Sequence, residues 1–572
     1  MDKVESTSKS DTWVHQEMQL RPEDGLEQQV SDDSSQDRTP KFSDVRFIMV
    51  LAGFGMAFVG SQAHPLLFAA ILPLVAADLH APAQLIWFLV AQVIAIGVAA
   101  PFAGPLADLF DRKHITLFAV LLGMVGAVLL AATPNAAGFI AGQALSGIGI
   151  AVQELMAIAA VAEIVPTSQR GYYVALVVSF FVPFAPASLY GALIAQASSW
   201  RYCACAVAVW NAATAAILFF CYSRPPRVQL DGKRLTAAEK LRRVDWLGGV
   251  ILTAGLLVLL VGINSGQQYA WNSARIIALL TIGIALLLAY VGYEYVLAPH
   301  PMFPGRLLRH PRAFVALMVV ILMAGINYIP LLFFWVLECV AVYDSDIRQT
   351  GIRTMPFGWC ILGGAIISAL LVSMFRSRVQ LIMTGFCIVQ VVAIACMAVI
   401  DPHNLATAWA PLSLGLTAVG GVLIPNQLIA TIITPQDLIG TATCLTVCIR
   451  AVGQVIGVSI FYQQFVQQLT KRTMQYVVPA AVQVGVYDLD TLTNMMPTLV
   501  SIPFSEYIKS LPQVNTTEKI TMLHDATLVA FSGAFSRVYY VSIAFGAIAV
   551  IASCFIGDLS ALIGNQVAVS YF

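Results

Sequence analysis

Apolar residues fall along this chain in long unbroken runs, separated by short polar knots. The run LIWFLVAQVIAIGVAAPFA gives way to GPLADLFDRKH (104–114), and ITLFAVLLGMVGAVLLAA follows at once. Roughly 20 apolar residues in helix cross a hydrocarbon core of about 30 Å. A membrane β-barrel would instead alternate apolar and polar positions with period two, and these runs do not. The pattern predicts fourteen helical spans near 51–77, 84–106, 115–133, 137–163, 172–195, 203–222, 247–265, 275–297, 314–337, 351–374, 379–400, 408–433, 441–463 and 537–557. Connections are short except for a basic segment at 223–245 and a polar stretch at about 470–530. The fold class expected is an all-α polytopic membrane protein.

Composition sharpens this picture. Of the 572 residues, 59% are hydrophobic and 11% charged, against about 25% charged in a typical soluble domain. That excludes an ordinary soluble enzyme, and a formal net charge of zero points to no nucleic-acid partner. The placement of the bases carries more than their sum, because Lys and Arg stay on the cytoplasmic side of short loops. With the N-terminus inside, alternate loops hold Arg112 and Lys113, Arg170, seven bases between 224 and 243, Arg306, Arg309 and Arg312, and Arg376 and Arg378, 15 in all. The opposite short loops hold only Arg201, Arg275, Arg348 and Arg353, so both termini are expected to be cytoplasmic. On that topology the sequon at Asn515 falls in the last outside loop, where glycosylation is possible. Residues 1–44 read as an acidic, disordered tail with no cleavable signal, which leaves the first span as the insertion signal. The ten cysteines show no metal-ligand spacing.

The chain also repeats. IVPTSQRG (164–171) after the fourth span has a counterpart in IITPQDLIG (432–440), and the basic MFRSR (374–378) stands where GPLADLFDRKH stands in the first half. Two matches at equivalent places argue for a duplicated six-helix unit. The organisation predicted is a six-helix bundle at 45–222, a basic loop at 223–246, two linker helices at 247–298, a second six-helix bundle at 299–558 and a short tail at 559–572.

Polar residues inside apolar spans are costly and mark cavities or partners. Gly104 permits close helix approach at a turn, and Asp108 at the end of span 2 can accept from backbone N–H groups at a neighbouring helix N-terminus. With Arg112 and Lys113 these form a candidate cytoplasmic latch, with Arg170 as a partner; the bland alternative is that the bases only set topology. Glu154, deep in span 4, is the candidate proton carrier unless it is pinned to a basic partner, and Arg450 in span 13 is the candidate counter-charge. Candidate substrate contacts are Gln62 and His64 in span 1, Gln143 and Gln153 in span 4, Asn327 and Tyr328 in span 9, and Asn426 and Gln427 in span 12. Pro65, beside His64, is expected to break the first helix. Glu163 and Asp78 at span ends read as interface residues, and Glu294 as structural.

GPLADLFDRK resembles the loop 2–3 signature of the major facilitator superfamily, with Gly104, Leu106, Asp108, Arg112 and Lys113 matching and Asp111 in place of a glycine. VPTSQRG, SSWRY, RRVDWLGG, QQYAW and YEYVLAPHPMFPGRLL are similar to the fourteen-span drug:proton antiporters, and IRAVGQVIG and the long last outside loop are most like the fungal trichothecene efflux pumps. The resemblance implies a 6+2+6 major facilitator fold and alternating access. It also implies export of a small, fairly apolar metabolite, mycotoxin or xenobiotic against a proton gradient, from a monomer in the plasma membrane, with the vacuolar membrane as the other possibility. No cofactor, metal or ATP motif is implied. Three positions depart from the antiporter pattern: Gln143 stands where span 4 carries an arginine, span 5 keeps Pro186 and Gly191 but not the paired glycines, and span 1 lacks an early aspartate. Uptake of ferric siderophores by proton symport is the nearest rival, and a non-transporting receptor the remote one.

Overall fold

In the structure, a computed structural model, residues 45–559 and Leu562 are described, apart from 111, 166–168, 223–238, 240–243, 436–437, 488–494, 496–498, 500–501, 512–513 and 515. Asn515, Asp111 and most of the basic segment 223–245 therefore lie outside the described residues. Glu163 lies within a helix, but its side chain is not described.

The first apolar runs form α1 (Val45–Ala69), α2 (Leu85–Leu109), α3 (Arg112–Ala132) and α4 (Ala136–Ile164). Next come two half-helices, α5 (Arg170–Ser179) and α6 (Ala187–Ala197), then α7 (Arg201–Cys221), α8 (Trp246–Ser265) and α9 (Ala274–Val296). The second half contains α10 (Pro311–Ala341), α11 (Ile347–Met374), α12 (Val379–Met397), α13 (Ala406–Ile433), α14 (Ile439–Arg472) and α15 (Thr517–Ser553). Several starts are fixed by side chains that satisfy otherwise unpaired N–H groups. Asn135 accepts from Gly138 N, Asp245 from Gly248 N and Asp346 from Gln349 N, at 2.8, 2.8 and 2.6 Å.

Among the described residues thirteen helices are long and apolar enough to cross a membrane. The predicted fifth span is interrupted: a 3-10 turn at Val182–Phe184 separates α5 from α6. Pro183 and Pro186 lie at the break, and proline supplies no N–H to continue a helix. Pro65 has the opposite outcome. It lies inside α1, which runs through it, so the predicted break there is absent. The last helix starts at Thr517, 20 residues before the predicted 537, and α14 continues through a π turn at Thr473–Val477 into Val478–Val484. Hydropathy missed these extensions because their outer faces are polar. Their inner faces keep a helical stripe, Phe461, Phe465 and Leu469 on α14 and Leu523, Thr527, Phe531 and Phe535 on α15.

In the first half α4 packs on α1, α2 and α3, and α7 on α1 and α3. In the second half α13 packs on α11 and α12, α10 on α14 and α15, and α12 on α15. The halves meet along two seams, α2 against α14 and the α5–α6 pair against α11. Both seams are made by residues without bulk. A Cβ on Gly358 of α11 would lie 1.7 Å from the Ala185 carbonyl oxygen at the break, and one on Gly104 of α2 would lie 2.4 Å from Cys444 Sγ of α14. Such contacts let helices associate where no hydrophobic gain separates lipid from protein. Helix α8 leans on α2 and α14, while α9 packs mainly on α8 and is mostly exposed.

Candidate transport site

Two polar constellations join the halves, one at a helix turn and one in the apolar interior. At the turn, Asp108 ends α2 and its carboxylate accepts from Gly440 N at 2.9 Å, Thr441 N at 2.7 Å and Thr441 Oγ1 at 2.7 Å. These donors open α14, where N–H groups lack helical acceptors and the helix dipole favours an anion. Arg170, fully buried at the start of α5, donates from Nη1 to the Thr431 carbonyl at 2.7 Å, in the last turn of α13. An acid from the first half thus holds the positive end of α14, and a base from the same half holds the negative end of α13. The two hold the last turn of α13 and the first turn of α14, which follow one another in the chain. Arg112 Nη2 stands 3.7 Å from Asp108 Oδ1, and Arg112 Nη1 stands 3.8 Å from Met156 Sδ. Lys113 does something else: its Nζ donates to the Phe219 and Tyr222 carbonyls at 2.7 and 2.6 Å, closing the end of α7 within the first half.

In the interior, Arg450 of α14 forms a two-bond ion pair with Glu154 of α4, Nη1 to Oε1 at 2.7 Å and Nη2 to Oε2 at 2.5 Å. Gln427 Nε2 of α13 donates to the same Oε1 at 3.1 Å, and Gln62 of α1 lines the same cavity. Glu154 is 2% exposed and Arg450 7%. The pair floors a cavity of about 50 Å³ whose walls include Phe58, Val178, Phe181, Tyr328, Phe357 and Leu423. Pockets that hold drug-sized molecules have roughly 300–1,000 Å³, so in this conformation the cavity is too small for one. The walls are apolar, and the polar contribution comes from Gln62, Glu154, Tyr328 and Arg450, drawn from both halves.

A model of the family described as fungal trichothecene efflux pump (TRI12) matches residues 12–572. The chain belongs to the fungal trichothecene efflux pump family. The Fusarium sporotrichioides trichothecene efflux pump TRI12 is 22% identical over 535 residues, 91% of this chain and 88% of that protein. The Acremonium MFS-type transporter pydD is 26% identical over 430 residues, covering 74% and 73% of the two chains. The Aspergillus brasiliensis efflux pump bfoC is 24% identical over 480 residues, covering 81% and 83%. Among solved structures, the proton:xylose symporter XylE superposes with TM-score 0.53 at 13% identity, over 90% of this chain and 97% of that one. A bacterial homologue of the human lysosomal transporter Spinster, inward-facing and occupied, also gives 0.53, at 14% identity over 91% and 98%. These likenesses carry the fold: it is the major facilitator fold, in a family of multi-pass membrane transporters and not of enzymes.

Within this efflux-pump fold the remaining candidate residues divide. Gln62, Tyr328 and Gln427 join the Glu154–Arg450 centre. His64 and Gln143 do not: His64 Nε2 and Gln143 Oε1 lie 3.1 Å apart and buried, with the imidazole against Phe68, so they satisfy each other inside the first half. Asn327 donates to the Ser542 carbonyl at 3.4 Å and Asn426 to the Leu317 carbonyl at 3.0 Å, both as ties within the second half. Gln153 lies beside Gly60, Gly123 and Asn211, away from the cavity walls. Pro186 caps α6, and a Cβ on Gly191 would come 2.0 Å from the Leu67 carbonyl oxygen, which makes Gly191 a packing residue against α1. At the ends of the bundle, Asp78 takes Trp200 Nε1 at 2.9 Å and Arg201 Nη1 at 3.0 Å; the indole first, then the guanidinium, hold its carboxyl below the usual range. Glu294 accepts from Phe303 N at 2.8 Å, consistent with a structural tie.

Sequence reasoning missed Gly440, Thr441 and Thr431, because their contribution is largely backbone, with the hydroxyls of Thr441 and Thr431 beside it. It also missed Glu338, which bonds Tyr539 inside the second half. The predicted ninth span stopped at 337, one residue short of it.

Proposed function

We propose that this chain exports a small, fairly apolar molecule, a fungal secondary metabolite, mycotoxin or xenobiotic, across the plasma membrane by proton-coupled alternating access. The Glu154–Arg450 ion pair carries the reading, because it spans the two halves at the floor of an apolar cavity. A charged pair in such surroundings is costly to keep and costlier to split. A group that neutralises one partner therefore changes what holds the halves together. Protonation of Glu154, or arrival of a polar oxygen of the substrate at Arg450, each does this. Counting α5 and α6 as one crossing gives fourteen crossings, with both termini on the side of the Asp108 turn. Asp108, Arg112 and Arg170 then act as the cytoplasmic latch. The latch supports reading this conformation as one with the inner side shut.

Flux in yeast lacking its own major exporters and siderophore importers tests the reading. Cells expressing the wild type are expected to retain less of a tritiated trichothecene than control cells, and a protonophore removes the difference. Glu154→Gln is expected to remove it without a protonophore. Gradient-dependent gain of a labelled ferric siderophore would reverse the assigned direction, and trichothecene retention equal to that of empty cells would refute export of this substrate class.

A further inference from the structure

The second half holds a buried carboxylate that the efflux reading leaves unused. Glu338 lies three residues before the end of α10 and is 7% exposed. Its side chain accepts a bond from the hydroxyl of Tyr539, itself buried on α15. Beside them Phe334, Phe465 and Phe535 pack ring to ring, with centroids 5.4, 4.8 and 6.5 Å apart. Among the described residues no Lys, Arg or His stands within ion-pair distance of Glu338.

The other ionisable groups around it are few. Cys339 neighbours it on α10, and Tyr343 follows at the helix end. Arg353, at the head of α11, is held by the Tyr343 carbonyl at 3.1 Å and by Ser345 Oγ. Asp401, before α13, acts on Tyr343. From α14 the neighbouring side chain is Phe465, and from α15 it is Tyr539.

Glu154 and Glu338 are therefore opposites. The first has two bonds to a guanidinium and one to an amide; the second has one phenol. An ionised carboxylate in an apolar interior needs a cation or several donors, and a single neutral donor does not offset its desolvation. These surroundings favour the neutral carboxylic acid at Glu338. α10 and α14 run in the same direction, since Gly453 meets the Leu322 carbonyl and Gly457 the Ile326 carbonyl. The start of α14 is at the Asp108 turn, so Glu338 lies towards the opposite end of the bundle.

We propose that Glu338, bonded to Tyr539, is a proton-carrying site of the second half, loaded from the aqueous face opposite the Asp108 turn. The proton leaves to water as the surroundings open, the carboxylate keeps the Tyr539 O–H as donor, and the same face returns the proton; nothing is oxidised or reduced. The inference rests on the proton-coupled reading of the chain. It divides the work, with Glu154 sensing the cavity and Glu338 carrying the proton.

The test uses the full chain in liposomes as wild type, E338Q, E338D and Y539F. Infrared spectra in water and heavy water are expected to show a protonated-carboxyl carbonyl band that shifts in heavy water, vanishes in E338Q and moves to higher frequency in Y539F. Accumulation of a tritiated trichothecene driven by a pH gradient is expected to fall about tenfold in E338Q, while counterflow exchange stays within about twofold and E338D restores part of the drive. A band that E338Q leaves unchanged, or no band at all, overturns the proposal. So does loss of counterflow together with drive, which is the signature of a structural residue. E338Q accumulating like the wild type overturns only the role of Glu338, whereas a wild type indifferent to a protonophore overturns the proton-coupled reading itself. The infrared result does not depend on the substrate chosen.

Discussion

Arg450 exists as a buried charge only because Glu154 faces it. Two parallel bonds and the amide of Gln427 spread the carboxylate charge over three donors. Removing one partner leaves the other desolvated and unpaired, at a cost of about 3–5 kcal/mol. Arg450→Ala is expected to lower unfolding stability in detergent by that order, and Glu154→Gln combined with Arg450→Met to recover most of it. Additive losses in this double-mutant comparison would show that the two charges are not coupled. Glu154 and Arg450 were legible in the sequence because charges stand out in apolar runs, and the alternative that Glu154 is held by a basic partner is what the geometry shows. Their pairing was not legible, since 296 positions separate them. His64 stood out for the same reason and has a local explanation, Gln143. A polar residue in an apolar helix announces that it needs a partner, not which partner it has.

At the scale of elements, the break between α5 and α6 and the straight passage of Gly358 past it belong together. The α5–α6 break turns the Ala185 carbonyl towards α11, and only a residue with no Cβ fits 1.7 Å away. Gly358→Ala is expected to destabilise the chain by about 1–3 kcal/mol through overpacking. Gly363→Ala, on the same helix with open space around it, is expected to stay within about 0.5 kcal/mol of the wild type. Thermal unfolding of the two variants side by side measures this, and equal midpoints would mean that the seam relaxes freely. Hydropathy found every crossing helix but misplaced ends wherever one face was polar. The extensions of α14 and α15 beyond the predicted spans are amphipathic helices held by each other, a reason invisible to a window average.

For the whole molecule, the proposed latch, Asp108 on the start of α14 and Arg170 on the end of α13, would set which side of the transporter is shut. Charge-assisted hydrogen bonds contribute about 1.5–3 kcal/mol each, so weakening those of Asp108 shifts a two-state equilibrium substantially. Cys444, fully buried against Gly104 beside the latch, reports the opening. With the other cysteines replaced by serine, Asp108→Asn is expected to raise maleimide labelling of Cys444 about fivefold or more. An unchanged rate would assign Asp108 to folding alone.

The sequence by itself determined the membrane class, the helical fold and the family. These depend on run length, on the spacing of small and charged residues and on motif order, which are properties of the chain read locally. Only the tertiary structure decided what each polar residue does. Whether a buried carboxylate is paired like Glu154 or bound to a single phenol like Glu338 depends on which distant helix presents a partner. The same holds for Asp108 and Arg170, whose partners are mainly backbone groups at helix ends, which have no signature in residue type.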